Sequence, residues 1–100
     1  MRTPLFLITG FGAFEGVTDN ASARLVERLL SEPPAGVELV GQILPVSFAR
    51  SAATIDAALR ALGARRPALL FSMGVSRMDP YFRLERRAGT RYDSTRADND

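Results

Sequence analysis

Two phenylalanines and one glutamate are the side chains in this sequence whose types and settings indicate a site. Phe11 and Phe14 lie in a glycine-flanked loop, where two aromatic rings can form an apolar slot for a flat ring. Aromatic side chains in such a loop are as often buried for packing, and their spacing does not separate the two roles. Glu85 lies between arginines, where a carboxylate usually forms a surface ion pair but can also have a catalytic role.

The composition removes the commonest catalytic groups. The 100 residues include no cysteine and no histidine, which excludes disulfides, thiolate metal sites and a histidine base within this chain. We expect no metal and no cofactor. The hydrophobic fraction of 46% and the charged fraction of 24% are those of an ordinary globular domain with a buried core.

The N-terminus and the charges favour neither a membrane nor a nucleic-acid partner. The apolar run at residues 5–8 is shorter than the about 7–15 residues of a signal peptide or the about 20 of a membrane span. We therefore expect a cytoplasmic protein. The net charge is +2, and acidic residues are interspersed among the arginines of the C-terminal quarter. A mixed solvated face is thus favoured over a phosphate-binding patch.

Three apolar runs and two amphipathic segments predict the order strand, helix, strand, helix, strand. The predicted strands cover residues 5–9, 37–44 and 68–71. Asn20 and Ser47 have side chains suited to N-caps, and the helices that follow end before Pro33 and at Gly63. The predicted apolar helix faces contain Leu25, Val26, Leu29 and Leu30, and Ala52, Ile55, Leu59 and Leu62. This order is typical of a parallel sheet with right-handed crossovers.

The pattern changes after Gly74. Phe82 and Leu84 alternate with charged residues, which predicts a half-buried fourth strand. Residues 89–100 have almost no apolar side chains. We interpret residues 1–100 as a single partial domain in which 89–100 is a poorly ordered or cut segment.

Ligands of an open parallel sheet bind beyond the C-terminal ends of the strands, which here means residues 10–16 and 73–79. Gly10 and Gly12 match the start of the dinucleotide fingerprint G-x-G-x-x-G, but the third glycine is missing. The predicted helix also begins late, near Asn20, so we do not expect its N-terminus to contact that turn. Nucleotide binding is therefore the less favoured alternative.

Six short segments resemble, in order, the N-terminal half of the pyroglutamyl peptidase I family, the pyrrolidone-carboxylate peptidases. The resemblance covers the whole chain with the family's spacing. The family's T-G-F-x-P-F, N-P-S, L-P-V-S, proline-led strand, V-E-R-x-A and P-D-N segments correspond to residues 9–14, 20–22, 43–48, 67–74, 84–88 and 98–99.

This resemblance implies a fold, a reaction and roles for individual residues. The fold is α/β, a three-layer α/β/α sandwich with a mainly parallel sheet that is incomplete in this chain. The family's enzymes are cytoplasmic cysteine peptidases that remove N-terminal pyroglutamate from peptides and commonly form homotetramers. Glu85 would orient the histidine of a Cys-His-Glu triad, and Phe11 and Phe14 would hold the lactam ring. The cysteine and the histidine would follow residue 100.

Several family residues are replaced close to the expected site. An alternative interpretation is therefore a diverged, non-catalytic binding module of the same fold. For the chain by itself we expect no peptidase activity, and poor solubility because its third strand would be an exposed apolar edge. The replacements are Ala13 and Ala21 for proline, Val75 for glutamine or leucine, Thr90 for asparagine and Thr95 for arginine.

Overall fold

The alternating order of strands and helices is present in a computed structural model that describes residues 3–14, 16–75, 82–85 and 87. Each observed end lies within two residues of its predicted position. The elements are β1 (Leu5–Phe11), α1 (Ala21–Ser31), β2 (Glu38–Leu44), α2 (Phe48–Ala61) and β3 (Leu69–Ser72).

The three strands form one parallel sheet in the order β2-β1-β3. Leu7 of β1 is in register with Val40 on one side and Leu70 on the other. The first connection runs from central β1 to β2, and the second runs back from β2 past β1 to β3. Because the two connections run in opposite directions, right-handed crossovers place α1 and α2 on opposite faces. The predicted α/β class is confirmed, and the described residues form part of an α/β/α sandwich.

The core lies around β1. Its continuous apolar run predicts a strand covered on both faces, and Leu5, Leu7, Ile8 and Thr9 are indeed buried. Val26 of α1 is 1% exposed, and α1 packs on the face of β1 and β2. The core is small, so each of its side chains contributes a large share of the stability.

Both predicted helix caps are confirmed. The Asn20 side chain accepts a hydrogen bond from the Ser22 backbone N–H, and the Ser47 side chain accepts one from that of Arg50. After α2 the chain reverses at Gly63, whose φ of 64° lies in the left-handed region that favours glycine. These signals are local, which is why the sequence locates them well.

Helix α1 lies very close to the sheet at two glycines. A Cβ atom on Gly10 would lie 2.5 Å from the carbonyl oxygen of Ser22. A Cβ atom on Gly41 would lie 2.7 Å from Leu30 Cδ1 and 2.9 Å from Val26 Cγ1. Real Cβ atoms do not approach other atoms this closely. Gly10 is required for the helix to pack as it does because it meets backbone, whereas at Gly41 the side chains of Leu30 and Val26 would have to shift.

Helix α2 is less well covered than its sequence predicts. It packs against β2, but none of its residues is buried, and Phe48 and Leu59 are 47% and 37% exposed. Of its predicted apolar face, Ile55 and Leu62 are half-buried while Ala52 is exposed. An amphipathic pattern indicates which face of a helix packs against the protein, but the neighbouring elements decide what fraction of each side chain is buried.

The apolar side chains of β3 and of residues 82–85 are poorly covered in the described chain. Leu69, Leu70 and Phe71 of β3 are 43%, 44% and 38% exposed. The fourth strand predicted around Phe82 and Leu84 is wrong for the described residues 82–85, which have no regular structure and expose both side chains. Alternation produces a strand only where one face packs against a layer, and no layer covers this segment in the described chain.

Neither helix in the described part of the chain has the length and apolar composition needed to cross a bilayer.

Candidate functional site

A cleft of about 180 Å³ opens at the C-terminal edge of the sheet, where parallel strands direct their loops to one side. Its walls come from the loop after β1, the cap of α1 and the segments that follow β2 and β3. The residues lining it are Phe11, Phe14, Asn20, Val46, Gly74 and Val75.

Phe11 is the last residue of β1 and is half-buried. Its ring lies beside Gly74, since a Cβ built there would contact two of its ring carbons at 3.9 Å. Two hydrogen bonds hold the Gly74 segment against β1: Met73 donates its N–H to the Thr9 carbonyl at 2.9 Å, and Thr9 Oγ1 donates to Ser72 Oγ at 3.0 Å. The position of the Phe11 ring therefore depends on both strands.

Phe14 is presented by a tight turn that the sequence did not reveal. Phe14 and Val17 exchange both backbone hydrogen bonds, at 2.9 and 2.8 Å. Gly16 has a φ of 75°, which a residue with a side chain rarely adopts. The turn returns the chain toward α1 and leaves the half-buried Phe14 ring on the wall of the cleft.

Residues 11–14, which carry the two phenylalanine rings, form the aromatic loop, and Asn20 connects this loop to α1. Asn20 is 4% exposed, and its Oδ1 accepts hydrogen bonds from the N–H and the Oγ of Ser22, at 2.9 and 2.6 Å. Its Nδ2 donates to the Gly12 carbonyl at 3.1 Å, and Ser22 Oγ accepts from the Phe11 N–H at 2.9 Å. The cap of the helix thus binds the backbone of the loop that carries the two rings.

The expectation that the α1 N-terminus would not contact the glycine turn was wrong. The helix begins late, at Ala21, but its first turn packs directly on Gly10. The group nearest a Cβ on Gly10 is the Ser22 carbonyl oxygen, an acceptor, and the Ser22 N–H is bonded to Asn20. The Ser22 N–H is therefore not available to bind a phosphate, and the third glycine of a dinucleotide site is missing.

Glu85 does not belong to the lining of this cleft. It lies outside helices and strands, its side chain is 71% exposed, and it pairs with Arg83 at 3.6 Å. Of the three side chains that the sequence singled out, Phe11 and Phe14 come together and Glu85 is found as a surface ion-pair member. Its expected role toward a histidine stays a prediction. Thr90 and Thr95 lie outside the described residues.

The described lining of the cleft provides contact surfaces for a ligand but no nucleophile, acid or base. Among the described residues that line it, none is charged, and the polar side chain is the amide of Asn20. Nowhere in the described ranges do three or more acidic side chains come together as metal ligands would. The arrangement suits an uncharged, flat group held between aromatic and aliphatic surfaces.

Sequence reasoning missed two contributors to the cleft. Asn20 was identified as a cap, but its second bond, to Gly12, joins positions eight residues apart and has no local signature. Val46 follows β2, so its position beyond the C-terminal end of a parallel strand was the available signal.

Comparison with known proteins yields one family. The profile of the family described as "Pyroglutamyl peptidase" matches residues 5–100. The chain is 34% identical over 90 residues to a "Pyrrolidone-carboxylate peptidase" of Streptomyces coelicolor. That alignment covers 90% of this chain but 40% of the relative's length, so the chain spans less than half of the protein it matches. No solved structure matches significantly.

Proposed function

Because this chain belongs to the pyroglutamyl peptidase family, we propose that the full-length protein is a cysteine peptidase that removes pyroglutamate from the N-terminus of peptides. The observation that supports this most is the cleft in which Phe11 and Phe14 lie together, beside the Gly74–Val75 segment. We propose these two rings as the walls that hold the lactam.

The chemistry of pyroglutamate fits such a cleft. Its ring closure removes the positive charge of an N-terminal amine, so an ion pair contributes nothing to recognition. Ring shape and amide edges remain, and aromatic faces with a few polar groups suit both. The part of the cleft formed by the described residues has a volume of about 180 Å³, which can accommodate a single small ring.

The reactive groups must come from elsewhere in the full-length protein, because this chain has no cysteine and no histidine. In the proposed mechanism a cysteine thiolate attacks the carbonyl carbon of the peptide bond that joins pyroglutamate to the next residue. That bond breaks as a histidine gives a proton to the leaving amine, which leaves a pyroglutamyl thioester. Water, deprotonated by the same histidine, then hydrolyses the thioester and releases pyroglutamate and the thiolate. Glu85 would hold that histidine in its productive orientation, which requires the exposed carboxylate to meet polypeptide outside these 100 residues. We place the enzyme in the cytoplasm as a homo-oligomer.

The test uses the full-length protein and a pair of amide reporters. We expect cleavage of a pyroglutamyl amide but not of a prolyl amide, whose ring has similar size but carries a charged amine. Phe11→Ala and Phe14→Ala should each raise KM by about tenfold or more, because each removes aromatic contact from the bound ring.

Phe48→Ala is the matched control, since Phe48 is an exposed phenylalanine on α2 that does not line the cleft. It should leave KM within about twofold. Equal effects of all three substitutions would contradict the proposed slot. Absence of pyroglutamyl hydrolysis by a full-length protein that contains cysteine and histidine would contradict the proposed reaction. The 100-residue chain by itself should show no turnover.

One observation favours a second candidate, a non-catalytic module that binds pyroglutamyl peptides. Val75 lines the cleft at a position where the sequence motif of the resembled family has glutamine or leucine. Titration calorimetry separates the candidates. Saturable binding of an uncleaved pyroglutamyl peptide, by a full-length protein with no turnover, would favour the module.

A further inference from the structure

Four hydrogen bonds form a donor-to-acceptor chain through the cap of α1, two within the cap and two between the cap and residues 11 and 12. The Phe11 N–H donates to Ser22 Oγ at 2.9 Å, and Ser22 Oγ donates to Asn20 Oδ1 at 2.6 Å. The Ser22 N–H also donates to Asn20 Oδ1, at 2.9 Å, and Asn20 Nδ2 donates to the Gly12 carbonyl at 3.1 Å. The chain of bonds begins and ends on adjacent residues of the loop.

The direction of these bonds fixes the amide of Asn20 in one orientation. Rotating the amide by 180° would direct its oxygen at the Gly12 carbonyl and its NH₂ group at the Ser22 N–H, two contacts between groups of like polarity. Asn20 and Ser22 are each 4% exposed, so water cannot replace a lost bond easily. Gly12 is held from the other side by its N–H, which donates to the Leu44 carbonyl at 3.0 Å.

Capping alone does not require this arrangement. Ser47 caps α2 by accepting the Arg50 N–H, which is the ordinary function of a cap. Asn20 performs that function with Oδ1 and uses Nδ2 for a residue that lies between the two phenylalanines. An aspartate would also cap α1, because its carboxylate accepts hydrogen bonds, but it would lack the donor for Gly12.

We propose that Asn20 and Ser22 are positioning residues that set the separation of the Phe11 and Phe14 rings and thereby the ring size accepted by the cleft. This inference rests on the proposed function, because the ligand is taken to be a lactam. The amide of Asn20 acts through the Gly12 carbonyl and Ser22 acts through the Phe11 N–H.

Asn20→Asp in the full-length protein separates positioning from capping. It keeps the acceptor that caps α1, so the helix is retained, but the lost buried hydrogen bond should lower the melting temperature by several degrees, and kinetics are therefore measured well below it. It removes the donor to Gly12, so KM for a pyroglutamyl amide should rise by about tenfold while kcat stays within about twofold. The preference for a five-membered over a six-membered lactam amide should fall by a similar factor. Gln42→Glu makes the same amide-to-carboxylate change on β2, away from the cleft lining, and should alter neither constant.

Amide hydrogen exchange provides a readout that needs no substrate. Ser22→Ala should accelerate exchange at the Phe11 N–H, which loses its acceptor, while the α1 amides of residues 25–28 keep their protection. A rise in exchange across α1, or equal losses of kcat and folded protein, would show a purely structural role and overturn the inference. Unchanged KM and unchanged lactam preference would overturn it too. If the wild-type protein neither binds nor cleaves pyroglutamyl amides, the proposed function fails whatever the exchange data show.

Discussion

The two sides of β1 differ sharply in how they are packed. Toward β2, helix α1 covers the sheet so closely that Gly10 and Gly41 leave no room for a Cβ atom, and Val26 is 1% exposed. Toward β3, Leu70 is 44% exposed although it is in register with Leu7, which is 0% exposed. Parallel pairing on both sides of β1 therefore joins it to one strand that is largely half-buried and to another whose apolar side chains are about 40% exposed.

This difference shows that strand pairing and burial are separate contributions. Hydrogen bonds and register position β3, but apolar burial, at roughly 25 cal/mol per Å², supplies most of the stability. The cleft lies across both regions, with Phe11, Phe14 and Asn20 on the well-packed side and Gly74 and Val75 after β3. The wall formed by Phe11, Phe14 and Asn20 is thus supported by the packing of α1, whereas the wall formed by Gly74 and Val75 depends on the partly exposed edge strand β3.

The largest expected effect comes from a comparison of Leu7 and Leu70, which lie side by side in register on β1 and β3. Leu7→Ala should lower the free energy of unfolding by about 3 kcal/mol, because it leaves a cavity in the core. Leu70→Ala should cost less than about 1 kcal/mol, since nearly half of that side chain is already exposed. Urea denaturation of the 100-residue chain measures both. Equal costs would refute the asymmetry described above.

A second pair of substitutions tests the contact between α1 and β1. Gly10→Ala should cost about 2–3 kcal/mol, because the new methyl group meets the Ser22 carbonyl, a backbone group that moves only with the helix. Gly12→Ala is the matched control, since its Cβ would find its nearest atoms at an ordinary 3.8 Å. Thermal unfolding should show a clear decrease in Tm for the first variant and little change for the second.

Solubility tests the exposed edge. Leu70→Lys should reduce aggregation of the 100-residue chain, because a charge on an edge strand opposes pairing with another chain. Leu25→Lys replaces a leucine of similar exposure, 42%, on a helix, where no strand edge is available. The protein concentration at which light scattering rises should therefore increase for Leu70→Lys but not for Leu25→Lys. A matching improvement for Leu25→Lys would attribute the aggregation to surface hydrophobicity in general.

The smallest effect concerns an ion pair that connects the two outer strands. Arg65, just before β3, contacts Glu38 of β2 at 2.6 Å, with the two side chains 54% and 48% exposed. A double-mutant cycle of Arg65→Ala and Glu38→Ala should give a coupling below about 1 kcal/mol that declines with added salt. Arg60 and Asp56, a pair within α2, provide the comparison. A coupling of several kcal/mol would mean that this contact holds β3 in place.

Most of the fold could be predicted because its signals are local. The apolar run of β1, the caps Asn20 and Ser47 and the reversal at Gly63 each depend on a few neighbouring residues. The strand expected around Phe82 was wrong because alternation records a tendency and packing decides the outcome. For the candidate site, the sequence identified Phe11 and Phe14 but did not reveal the turn at Gly16 or the bond from Asn20 to Gly12.

By itself, then, the sequence determined the parallel α/β order, the family and the loop that carries the two aromatic rings. Only the tertiary structure decided that those rings share a cleft with Gly74 and Val75, that the α1 cap holds their loop, and that the side chains of β3 stay about 40% exposed. The physical reason is range. Caps, turns and periodicity arise from interactions between near neighbours, whereas the walls of the cleft come from segments about 60 residues apart that meet only when parallel strands align their C-terminal ends.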